Sequence, residues 1–406
     1  MEPLYKIFNK SSSADFEREY HLRMNFPTTV KINLLIKPMN NPKQFDLYYL
    51  PTEKIINLVS TIHVNDTLIS KYISELPTIA QHKFLLENIA DELQNTNEIE
   101  GVRSTREEIV RSVKNLDSKT GSKDRFSSMV QSYLNLNSSE LNRIESALDI
   151  RKIYDLLLDG EIDNDDLPDG KIFRAGQCDI LKKSGTQKVI HKGVLPESKI
   201  IEKISEMINF LNDDLKGSLL IRIAIAHYYF GYIHPFYDGN GRCSRFISSM
   251  YLKQQFSSFT AISLSKGCNT KKNKYLEAFD ATNKITNRGE LNYFIESFLE
   301  ILKDSQEEVI TQLKEKKYIF DGFKELLEED EYFKDKSENV VDIFFVLGQD
   351  TLFSSDKGLT ASQIANIIGI SEQTSRKILR ELIKMNKVDN IGSKPKLYFV
   401  NDAYFE

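Results

Sequence analysis

The sequence contains little cysteine and no long apolar run. Cys178, Cys243 and Cys268 are too few and too far apart for a disulfide framework, and none belongs to a CxxC pair with zinc-ligand spacing. No run of about 18 apolar residues is present that could span a membrane, and the first residues lack the apolar stretch of a signal peptide. We therefore expect a protein of the reducing cytoplasm without membrane contact.

The sequence also lacks a strong charge imbalance. Its formal net charge is -5, with 28% charged and 40% hydrophobic residues, which is ordinary for a soluble globular protein. Bulk electrostatics therefore do not indicate a nucleic-acid binder, and any basic surface must be local. With 406 residues, the chain is long enough for two or three domains.

The N-terminal region is predicted to have a small β portion followed by helix. The runs TTVKINLLI and FDLYYLP have the residue types of strands. The stretch LISKYISELPTIAQHKFLLENIADEL carries apolar residues at spacings of three and four, which predicts an amphipathic helix. Gly101 is predicted to end this helix and Ser104 to cap the next one.

The middle of the chain is predicted to be helical with one hairpin set into it. A polar loop is expected at 115–128, and the helix after it is expected to end at Gly160. The runs CDILKK and QKVIHK flank residues 184–186, a turn with a central glycine, which predicts a β-hairpin. Two helices follow, and the second, GSLLIRIAIAHYYFGYI, is apolar on nearly every side and is predicted to be buried.

The C-terminal region has the pattern of a winged helix-turn-helix. A charged helical stretch, SQEEVITQLKEKKYIFDGFKELLEEDEYFKD, precedes it. Thr360 and Ser371 are predicted to cap two helices separated by a turn at Gly369, and residues 388–391 and 397–400 are predicted to form the wing. The second helix and the wing carry basic side chains, which are Arg376, Lys377, Arg380, Lys384, Lys387, Lys394 and Lys396.

This basic stripe suits contact with the DNA backbone. Glu372 and Glu381 dilute it, however, and winged helices also serve as protein-docking or dimerisation units. DNA and protein therefore both stay open as partners of this region.

The stretch GYIHPFYDGNGRCSR concentrates chemistry-bearing residues in one turn. Gly239, Asn240 and Gly241 precede a helix and offer no bulky side chain, so a phosphate could reach the unpaired N–H groups of the helix start. Arg242 and Arg245 lie three residues apart on one helix face, within reach of the same anion. The pattern predicts a polyphosphate site. Since no GxxxxGK[ST] is present, the site is not a P-loop.

Two further residues of this stretch could perform chemistry on a bound phosphate. Asp238 could hold Mg²⁺ together with phosphate oxygens, and His234 could take a proton from an attacking hydroxyl at neutral pH. Taken singly, a histidine at a helix end and a Gly-Asn-Gly turn are more often structural. Their combination at this spacing favours attack on a nucleotide phosphate.

HPFYDGNGRCSR resembles the complete signature of the Fic family, HxFx[D/E]GNGRxxR. The preceding hairpin is similar to that family's target-docking flap. Fic proteins mostly transfer AMP from ATP to a Ser, Thr or Tyr hydroxyl of a protein and release pyrophosphate. The resemblance implies the following roles: His234 as base, Asp238 on Mg²⁺ or Mn²⁺, Gly239, Asn240, Gly241 and Arg242 around the α- and β-phosphates, Arg245 at the γ-phosphate, and Phe236 as a core anchor.

A second motif gains meaning from this resemblance. TNEIEG, from Thr96 to Gly101, matches the inhibitory [S/T]xxxE[G/N] pattern that some Fic proteins carry on a helix. By itself, a Thr four residues before a Glu usually indicates only a solvent-exposed face of a helix. If Glu100 lies next to Arg245, however, it would form a charge-assisted pair with the arginine that would otherwise bind the γ-phosphate. In some relatives the same glutamate positions water to remove AMP, so the direction of the reaction stays open.

Other site residues are less sharply defined by the sequence. Tyr275, with Asn283 nearby, lies where the family often places an adenine-contacting tyrosine, although its spacing from Leu276 and Phe279 suits a core residue equally well. Arg174 is expected either to stabilise the base of the flap or to lie exposed. His191 is expected to be a strand residue with a backbone partner.

The combined prediction is a mainly α protein with a Fic-type helical core, an inserted β-hairpin flap and a C-terminal winged helix-turn-helix. The predicted domains are 1–130 with the inhibitory helix at about 82–101, 131–305, 306–335 and 336–406. The predicted function is an autoinhibited adenylyltransferase that uses ATP and acts on a protein hydroxyl or on itself. The role of residues 1–60 stays open, and they could form a dimer surface or a target adaptor. Alternatives are AMP removal, transfer of phosphate or phosphocholine, and a DNA-binding regulator in which the core senses a nucleotide.

Overall fold

The computed structural model describes residues 1–117, 125–138, 143–181 and 189–405, and this part of the chain is mainly helical. The helices are α1 Leu4–Phe8, α2 Ser13–Met24, α3 Glu53–Ser74, α4 Thr78–Glu100, α5 Arg106–Asp117, α6 Ser127–Ser138, α7 Ala147–Leu157, α8 Glu197–Asn212, α9 Leu219–Ile233, α10 Asn240–Lys253, α11 Ser258–Ala261, α12 Leu264–Thr270, α13 Lys272–Asn283, α14 Asn292–Glu329, α15 Glu331–Lys334, α16 Glu338–Phe353, α17 Ala361–Ile368 and α18 Glu372–Lys384. The strands are β1 Val30–Ile36, β2 Phe45–Tyr49, β3 Asp179–Leu181, β4 Val189–Lys192, β5 Val388–Ile391 and β6 Leu397–Val400. They pair antiparallel as β1–β2, β3–β4 and β5–β6.

The chain divides into two compact units. The first contains residues 1–66 and 89–307, and the second contains residues 67–88 and 308–406. The division into four domains stays a prediction. No helix in the described ranges is both long enough and apolar enough to cross a membrane.

Helix α9 is the centre of the first unit, as its all-round apolar sequence predicts. It packs against α8 on one side and α10 on the other, and nearly all of its side chains are buried. Burial extends to two polar residues, Arg222 and His227, each of which has hydrogen-bond partners. Because α9 is fixed on several sides, the residue that follows its last turn has a defined position.

The N-terminal strands are confirmed, but two short helices before them were not predicted. Strand β1 alternates buried and exposed residues and pairs with β2. Helix α2 begins at a Ser12 cap that accepts a hydrogen bond from the Asp15 N–H, a signal the sequence does contain. Arg23, near the end of α2, forms a buried ion pair with Glu290, with Nη1 and Oε2 2.6 Å apart.

The predicted amphipathic stretch is two helices rather than one. It is interrupted before Pro77, because a proline lacks the amide hydrogen and disfavours helical backbone in the residue before it; α3 ends at Ser74 and α4 begins at Thr78. Gly101 ends α4 with a positive φ of 82°, as predicted. Ser104 does not cap α5. Thr105 does so, since its hydroxyl accepts the Glu108 N–H at 3.2 Å.

The flap strands are confirmed as β3 and β4, while the predicted turn at 184–186 lies outside the described residues. The expected loop at 115–128 falls partly outside them as well. Where described, its ends belong to helices, since α5 extends to Asp117 and α6 begins at Ser127. Helix α10 begins at Asn240, inside the Gly-Asn-Gly sequence rather than after it.

In the second unit, the C-terminal elements occur in the predicted order. Thr360 and Ser371 cap α17 and α18, and Gly369 makes the turn between them with φ 81°. Strands β5 and β6 form the hairpin that follows. Backbone hydrogen bonds between Leu359 and Tyr398 attach the segment before α17 to this hairpin.

Candidate active site

The motif residues surround the short segment that joins the end of α9 to the start of α10. His234 terminates α9 in the left-handed conformation, with φ 53°, and Gly239 precedes α10 with φ 79°. Positive φ is uncommon for a non-glycine residue and is often found at functional sites. At residue 239 only glycine fits, because a side chain would also collide with Leu158.

Asn240 and Phe236 fix the shape of this segment. The Asn240 side chain accepts the Phe236 N–H at 3.0 Å and donates to the Phe236 carbonyl at 2.8 Å. The Phe236 ring is fully buried and stacks on Tyr154 with centroids 3.7 Å apart, which agrees with its predicted role as a core anchor. The turn is therefore rigid before any ligand binds.

Arg174 attaches the flap to the same segment. Its side chain is buried and donates to the backbone carbonyl oxygens of His234 at 2.8 Å, Gly176 at 2.6 Å and Val194 at 3.0 Å. Arg174 was expected either at the base of the flap or exposed, and in the structure it lies at the base of the flap. His191, on β4, bonds the Tyr232 carbonyl through Nε2 at 2.7 Å, as expected for a structural strand residue.

The imidazole of His234 is neutral at physiological pH. Burial, together with the nearby His191 and Arg174, lowers the pKa of His234 to about 3. Burial disfavours the charged form of a histidine, and a neighbouring cation does so further. The side chain therefore keeps a lone pair that can accept a proton from a hydroxyl.

Arg242 and the start of α10 form a candidate anion site. The Arg242 side chain is buried, and its Nε and Nη1 atoms have no hydrogen-bond partner in the described structure. Among the residues that the structure describes, Nη2 pairs with Asp238 Oδ2 at 2.8 Å. A buried guanidinium with unused donors at a helix N-terminus is suited to a phosphate group.

The donor set is also consistent with a nucleotide-bound Mg²⁺. The described residues contain no cluster of three or more His, Cys, Asp or Glu side chains that could hold a metal ion by themselves. Asp238 is a single, half-exposed carboxylate beside the anion site. Mg²⁺ characteristically combines one or two carboxylates with substrate phosphates and water, so this arrangement fits a metal that arrives with the nucleotide.

Helix α4 places a glutamate against the second motif arginine. Arg245 is 1% exposed and donates through Nη2 to Glu100 Oε1 at 2.8 Å. It also donates through Nε to the Thr96 hydroxyl at 2.9 Å and through Nη2 to the Thr96 carbonyl at 3.1 Å. A side chain at Gly241 would overlap the Glu100 carboxylate, so this carboxylate lies directly against the first turn of α10. The two sequence motifs meet at this point.

Glu92, two turns before Glu100 on α4, was not singled out from the sequence. It is fully buried and accepts hydrogen bonds from the N–H groups of Ser265 at 2.8 Å and Lys266 at 3.3 Å, in the first turn of α12. Burial raises the pKa of Glu92 to about 7, although these donors and Arg245 oppose the rise. A glutamate among the apolar positions of an amphipathic helix was the available signal.

Tyr275 lies inside the core. Its side chain is 5% exposed, and its hydroxyl is 2.7 Å from His227 Nε2. Asn283 accepts a hydrogen bond from the Tyr228 hydroxyl at 2.8 Å. The contact of Tyr275 with adenine stays a prediction, and the side-chain surroundings agree with the alternative of a core residue.

These groups together could support attack of a hydroxyl on a bound phosphate. A neutral imidazole lies at one end of the segment, and a buried guanidinium with free donors lies beside the helix start at the other end. Preorganised donors of this kind stabilise the negative charge that develops during phosphoryl transfer. With Glu100 in place, part of the anion site is occupied by a carboxylate of the protein itself.

Comparison with known proteins gives matches to one family. The profile of the Fic/DOC family matches residues 144–252, a range that contains the whole segment from His234 to Arg245. The protein adenylyltransferase fic-1 of Caenorhabditis briggsae is 38% identical over 61 residues, which are 14% of this chain and 12% of that protein. The chain thus matches only about an eighth of the length of this curated relative.

Solved structures give a likeness of fold. A Fic family protein from Desulfovibrio desulfuricans has a TM-score of 0.50 at 18% identity, over 87% of this chain and 97% of that one. Fic-1 from C. elegans, residues 134–508, has a TM-score of 0.42 at 20% identity, over 64% of this chain and 73% of that one. Residues 144–252 thus match a Fic/DOC family domain, and the fold around them is similar to that of a Fic family protein.

Proposed function

We propose that this protein is an adenylyltransferase that transfers AMP from ATP to a hydroxyl side chain of a protein and is inhibited by its own helix α4. The observation that carries the proposal is the buried guanidinium of Arg242, whose Nε and Nη1 have no partner beside the first turn of α10 in the described structure. The match to the Fic/DOC family over the same residues supports this chemistry.

In the proposed reaction, the hydroxyl oxygen of the target attacks the α-phosphorus of ATP while His234 takes the hydroxyl proton. The bond between the α-phosphorus and the oxygen that bridges to the β-phosphate breaks, and pyrophosphate leaves. Arg242 and the N–H groups that start α10 would hold the phosphates, and Arg245 would hold the terminal one. Mg²⁺ held by Asp238 would supply neutralisation of the phosphate charge.

The inhibition follows from competition for one cation. Arg245 already has a carboxylate partner, since Glu100 Oε1 is 2.8 Å from its Nη2. A terminal phosphate would need the same donor, and Glu100 would repel it. ATP would then bind weakly or with its α-phosphorus out of line with the attacking hydroxyl. Removal of the Glu100 carboxylate should therefore activate the enzyme.

Labelling with radioactive ATP tests this function. Glu100→Gly protein is incubated with Mg²⁺ and either α-³²P-ATP or γ-³²P-ATP, and self-labelling and labelling of a lysate are measured. We expect label from α-³²P-ATP only, well above the wild type, and none after a second change, His234→Ala. Glu107→Gly is the matched control, because Glu107 is an exposed glutamate of the next helix, α5.

Other outcomes of this experiment contradict the proposal. Label from γ-³²P-ATP would indicate phosphate transfer instead. Loss of AMP from a previously labelled protein, faster in the wild type than in Glu100→Gly, would indicate that Glu100 serves AMP removal. Equal labelling of Glu100→Gly and wild type would exclude inhibition by α4.

We propose that helices α17 and α18 and the β5–β6 hairpin contact DNA, as a second function of the protein. A cavity of about 410 Å³ lies between the start of α17 and the β5–β6 hairpin, and Arg376, Lys394 and Lys396 line it. The exposed face of α18 adds Lys377 and Arg380. Backbone N–H groups at the start of α17 and the surrounding cations would bind DNA phosphates.

Salt dependence of binding tests this second function on the full chain. We expect binding of a duplex oligonucleotide to weaken with salt. The change Lys394→Gln/Lys396→Gln should reduce the slope of log K against log salt by about 1 for each phosphate that a lysine no longer neutralises. Lys171→Gln/Lys216→Gln, at two exposed lysines of the first unit, is the control. Absence of binding at low salt would remove the proposal.

A further inference from the structure

Tyr237, which precedes Asp238 in the sequence motif, is hydrogen-bonded to the chain that leads into the flap. Its hydroxyl oxygen accepts the Gly176 N–H at 2.7 Å and donates its hydrogen to Asp169 Oδ1 at 2.9 Å. The same carboxylate oxygen accepts the Ala175 N–H at 2.8 Å. The directions are fixed, because an N–H only donates and an ionised carboxylate only accepts. We call these three hydrogen bonds the Tyr237–Asp169 link, and the proposed reaction does not yet use it.

Gly176 is held from both sides. Its N–H donates to Tyr237, while its carbonyl oxygen accepts Nη1 of Arg174 at 2.6 Å. A Cβ atom at residue 176 would lie 2.6 Å from the Tyr237 hydroxyl oxygen, which is well inside van der Waals contact. Strand β3 begins three residues later, at Asp179. The direction in which β3 leaves the segment after α9 is therefore set close to Tyr237.

The other end of the flap lies against His234. A Cβ atom placed on Gly193, directly after β4, would be 3.3 Å from the His234 Cβ. The Gly193 N–H donates to the Cys178 carbonyl at 2.9 Å and so joins the two ends of the flap. The flap is thus attached to the segment after α9 through two side chains, Arg174 on the β4 side and Tyr237 on the β3 side.

The flap therefore borders the place where the proposed proton transfer occurs. A hydroxyl that gives its proton to the imidazole of His234 has to lie within hydrogen-bond reach of that imidazole. The protein that carries this hydroxyl then meets the flap, since Gly193 lies directly against His234. A change in the direction of β3 would move the hydroxyl relative to His234, but it would leave the phosphate donors at the start of α10 in place.

We propose that Tyr237 and Asp169 are positioning residues that hold the β3 side of the flap, and that the flap in this position places the target hydroxyl beside His234. Neither side chain would contact ATP or the reacting hydroxyl. Loss of the Tyr237–Asp169 link should therefore impair use of the protein acceptor and leave nucleotide binding unchanged. This inference rests on the proposed function, because it takes His234 as the base that receives the hydroxyl proton.

Transfer between two molecules separates use of the acceptor from binding of ATP. Glu100→Gly protein is the enzyme, and tagged full-length His234→Ala protein, which lacks the base, is the acceptor. Label from α-³²P-ATP is measured against the acceptor concentration. We expect Tyr237→Phe in the enzyme to lower kcat/KM for this acceptor about 10-fold and to leave the Kd of ATP unchanged in calorimetry. An unchanged kcat/KM, or an equal loss of ATP affinity, would overturn the proposal.

Two changes at Asp169 test whether its carboxylate acts through hydrogen bonds. Asp169→Asn keeps an oxygen that can accept from Tyr237 and Ala175, whereas Asp169→Ala keeps none. We expect Asp169→Asn to retain nearly the parent kcat/KM and Asp169→Ala to be about as slow as Tyr237→Phe. Since both of these changes break the same link, the double change Tyr237→Phe/Asp169→Ala should be no slower than the slower single change. Additive losses would contradict a shared role.

Tyr251→Phe is the matched control. The Tyr251 hydroxyl has the same bonding pattern, since it accepts the Ile144 N–H at 3.2 Å and donates to Asn212 Oδ1 at 2.8 Å. It lies near the far end of α10, however, and is buried. We expect Tyr251→Phe to lower stability without changing kcat/KM for the acceptor. An equal loss of kcat/KM in the control would show that the effect of Tyr237→Phe is merely structural.

Hydrogen exchange without nucleotide separates failure of this inference from failure of the proposed function. We expect Tyr237→Phe to speed amide exchange in peptic fragments that cover Ala175, Gly176 and β3, while exchange in α9 and α10 stays unchanged. Unchanged exchange before and within β3 would overturn the proposal even if AMP transfer is established. Faster exchange there, together with absence of AMP transfer in every variant, would contradict the enzyme activity alone.

Discussion

At the scale of single residues, Arg174 stabilises the geometry of the candidate site although it lies outside the sequence motif. It is a buried cation, and the hydrogen bonds of its guanidinium go to backbone carbonyl oxygens of the flap and of the segment after α9. These carbonyls are partly buried, so removal of the donor deprives them of their partner in the protein. The charge of Arg174 also helps to keep His234 neutral.

We expect Arg174→Met, which keeps a side chain of similar length, to lower the free energy of unfolding by about 2 to 4 kcal/mol, because three partly buried carbonyl groups lose a charged donor. Urea denaturation measures this. Arg18→Met, at an arginine whose side chain is 74% exposed, should change stability by about 0.5 kcal/mol or less. If the two substitutions cost the same, the hydrogen bonds of Arg174 do not stabilise the fold.

His227 gives stability a defined dependence on pH. Its pKa is about 3 in the folded protein against 6.5 ordinarily, so the unfolded chain takes up the proton first as pH falls. The contribution is complete above pH 6.5 and is lost as pH decreases toward 3. At pH 4.5, which is two units below the ordinary pKa of 6.5, we expect the free energy of unfolding of the wild type to have fallen by about 2 to 3 kcal/mol because of His227. His227→Gln should not show this loss. Urea denaturation of both proteins at pH 7.5 and pH 4.5 measures the difference, and parallel losses would show that His227 charges equally in both states.

At the scale of elements, α4 is held to the core by more than the Arg245–Glu100 pair. Glu92 accepts the first N–H groups of α12, where the positive end of the helix dipole lies. Glu98 and Asn95 reach Asn269 on the same short helix. Three successive turns of α4 thus contact α12 or Arg245, which keeps Glu100 against the first turn of α10.

We expect Glu92→Ala to lower the free energy of unfolding by about 2 to 3 kcal/mol, since two buried N–H groups lose their acceptor. It should also increase hydrogen exchange in α4. Glu92→Gln keeps one acceptor oxygen and should cost less. Urea denaturation and exchange measured by mass spectrometry give the two quantities. Glu107→Ala, at an exposed glutamate of α5, is the control, and an equal effect there would contradict the special role of Glu92.

The elements that the sequence predicts well are those with strong local signals. Helix α9 is apolar all round, Gly101 and Gly369 adopt positive φ at helix ends, and the β1–β2 and β5–β6 hairpins have strand-forming residues. Local signals also misled. Periodicity continues through Pro77, and Ser104 and Thr105 are both suitable caps, so the residue chosen depends on where the backbone turns.

The candidate site was predictable as a set of residues but not as an arrangement. The spacing from His234 to Arg245 is local and specific, and Glu100 was found through a second local pattern. The places of Glu92 and His227, and the contact between His227 and Tyr275, depend on packing between helices far apart in sequence. No short-range rule encodes such contacts.

At the scale of the whole molecule, a buried ion pair joins the N-terminal helices to a residue far along the chain. Arg23 and Glu290 are separated by 267 residues, and their side chains are 5% and 1% exposed. The Leu4 N–H also donates to Glu290 at 3.2 Å. Helices α1 and α2 thereby belong to the first unit, and their removal would leave a buried carboxylate without its partners.

We expect Arg23→Met to lower the free energy of unfolding by about 3 to 5 kcal/mol, because the change leaves Glu290 buried and uncompensated. The double change Arg23→Met/Glu290→Leu should recover a large part of this loss. Denaturant titration of the single and double variants gives the coupling. Arg143→Met, at the exposed pair with Asp214, should cost about 1 kcal/mol or less. A double variant no more stable than Arg23→Met would contradict the argument.

The hydrogen bonds of Asn240 to Phe236 affect how readily the Asn240 side chain is deamidated. Asparagine followed by glycine is the dipeptide in which the side-chain amide hydrolyses most readily, through attack of the next backbone nitrogen on the side-chain carbonyl carbon. In this protein the Asn240 amide is buried and anchored by two hydrogen bonds at the start of a helix, which holds it away from the geometry of that attack. The folded chain thus protects this Asn-Gly amide, and in an unfolded or loosened molecule residue 240 would become an acidic residue beside the proposed phosphate site.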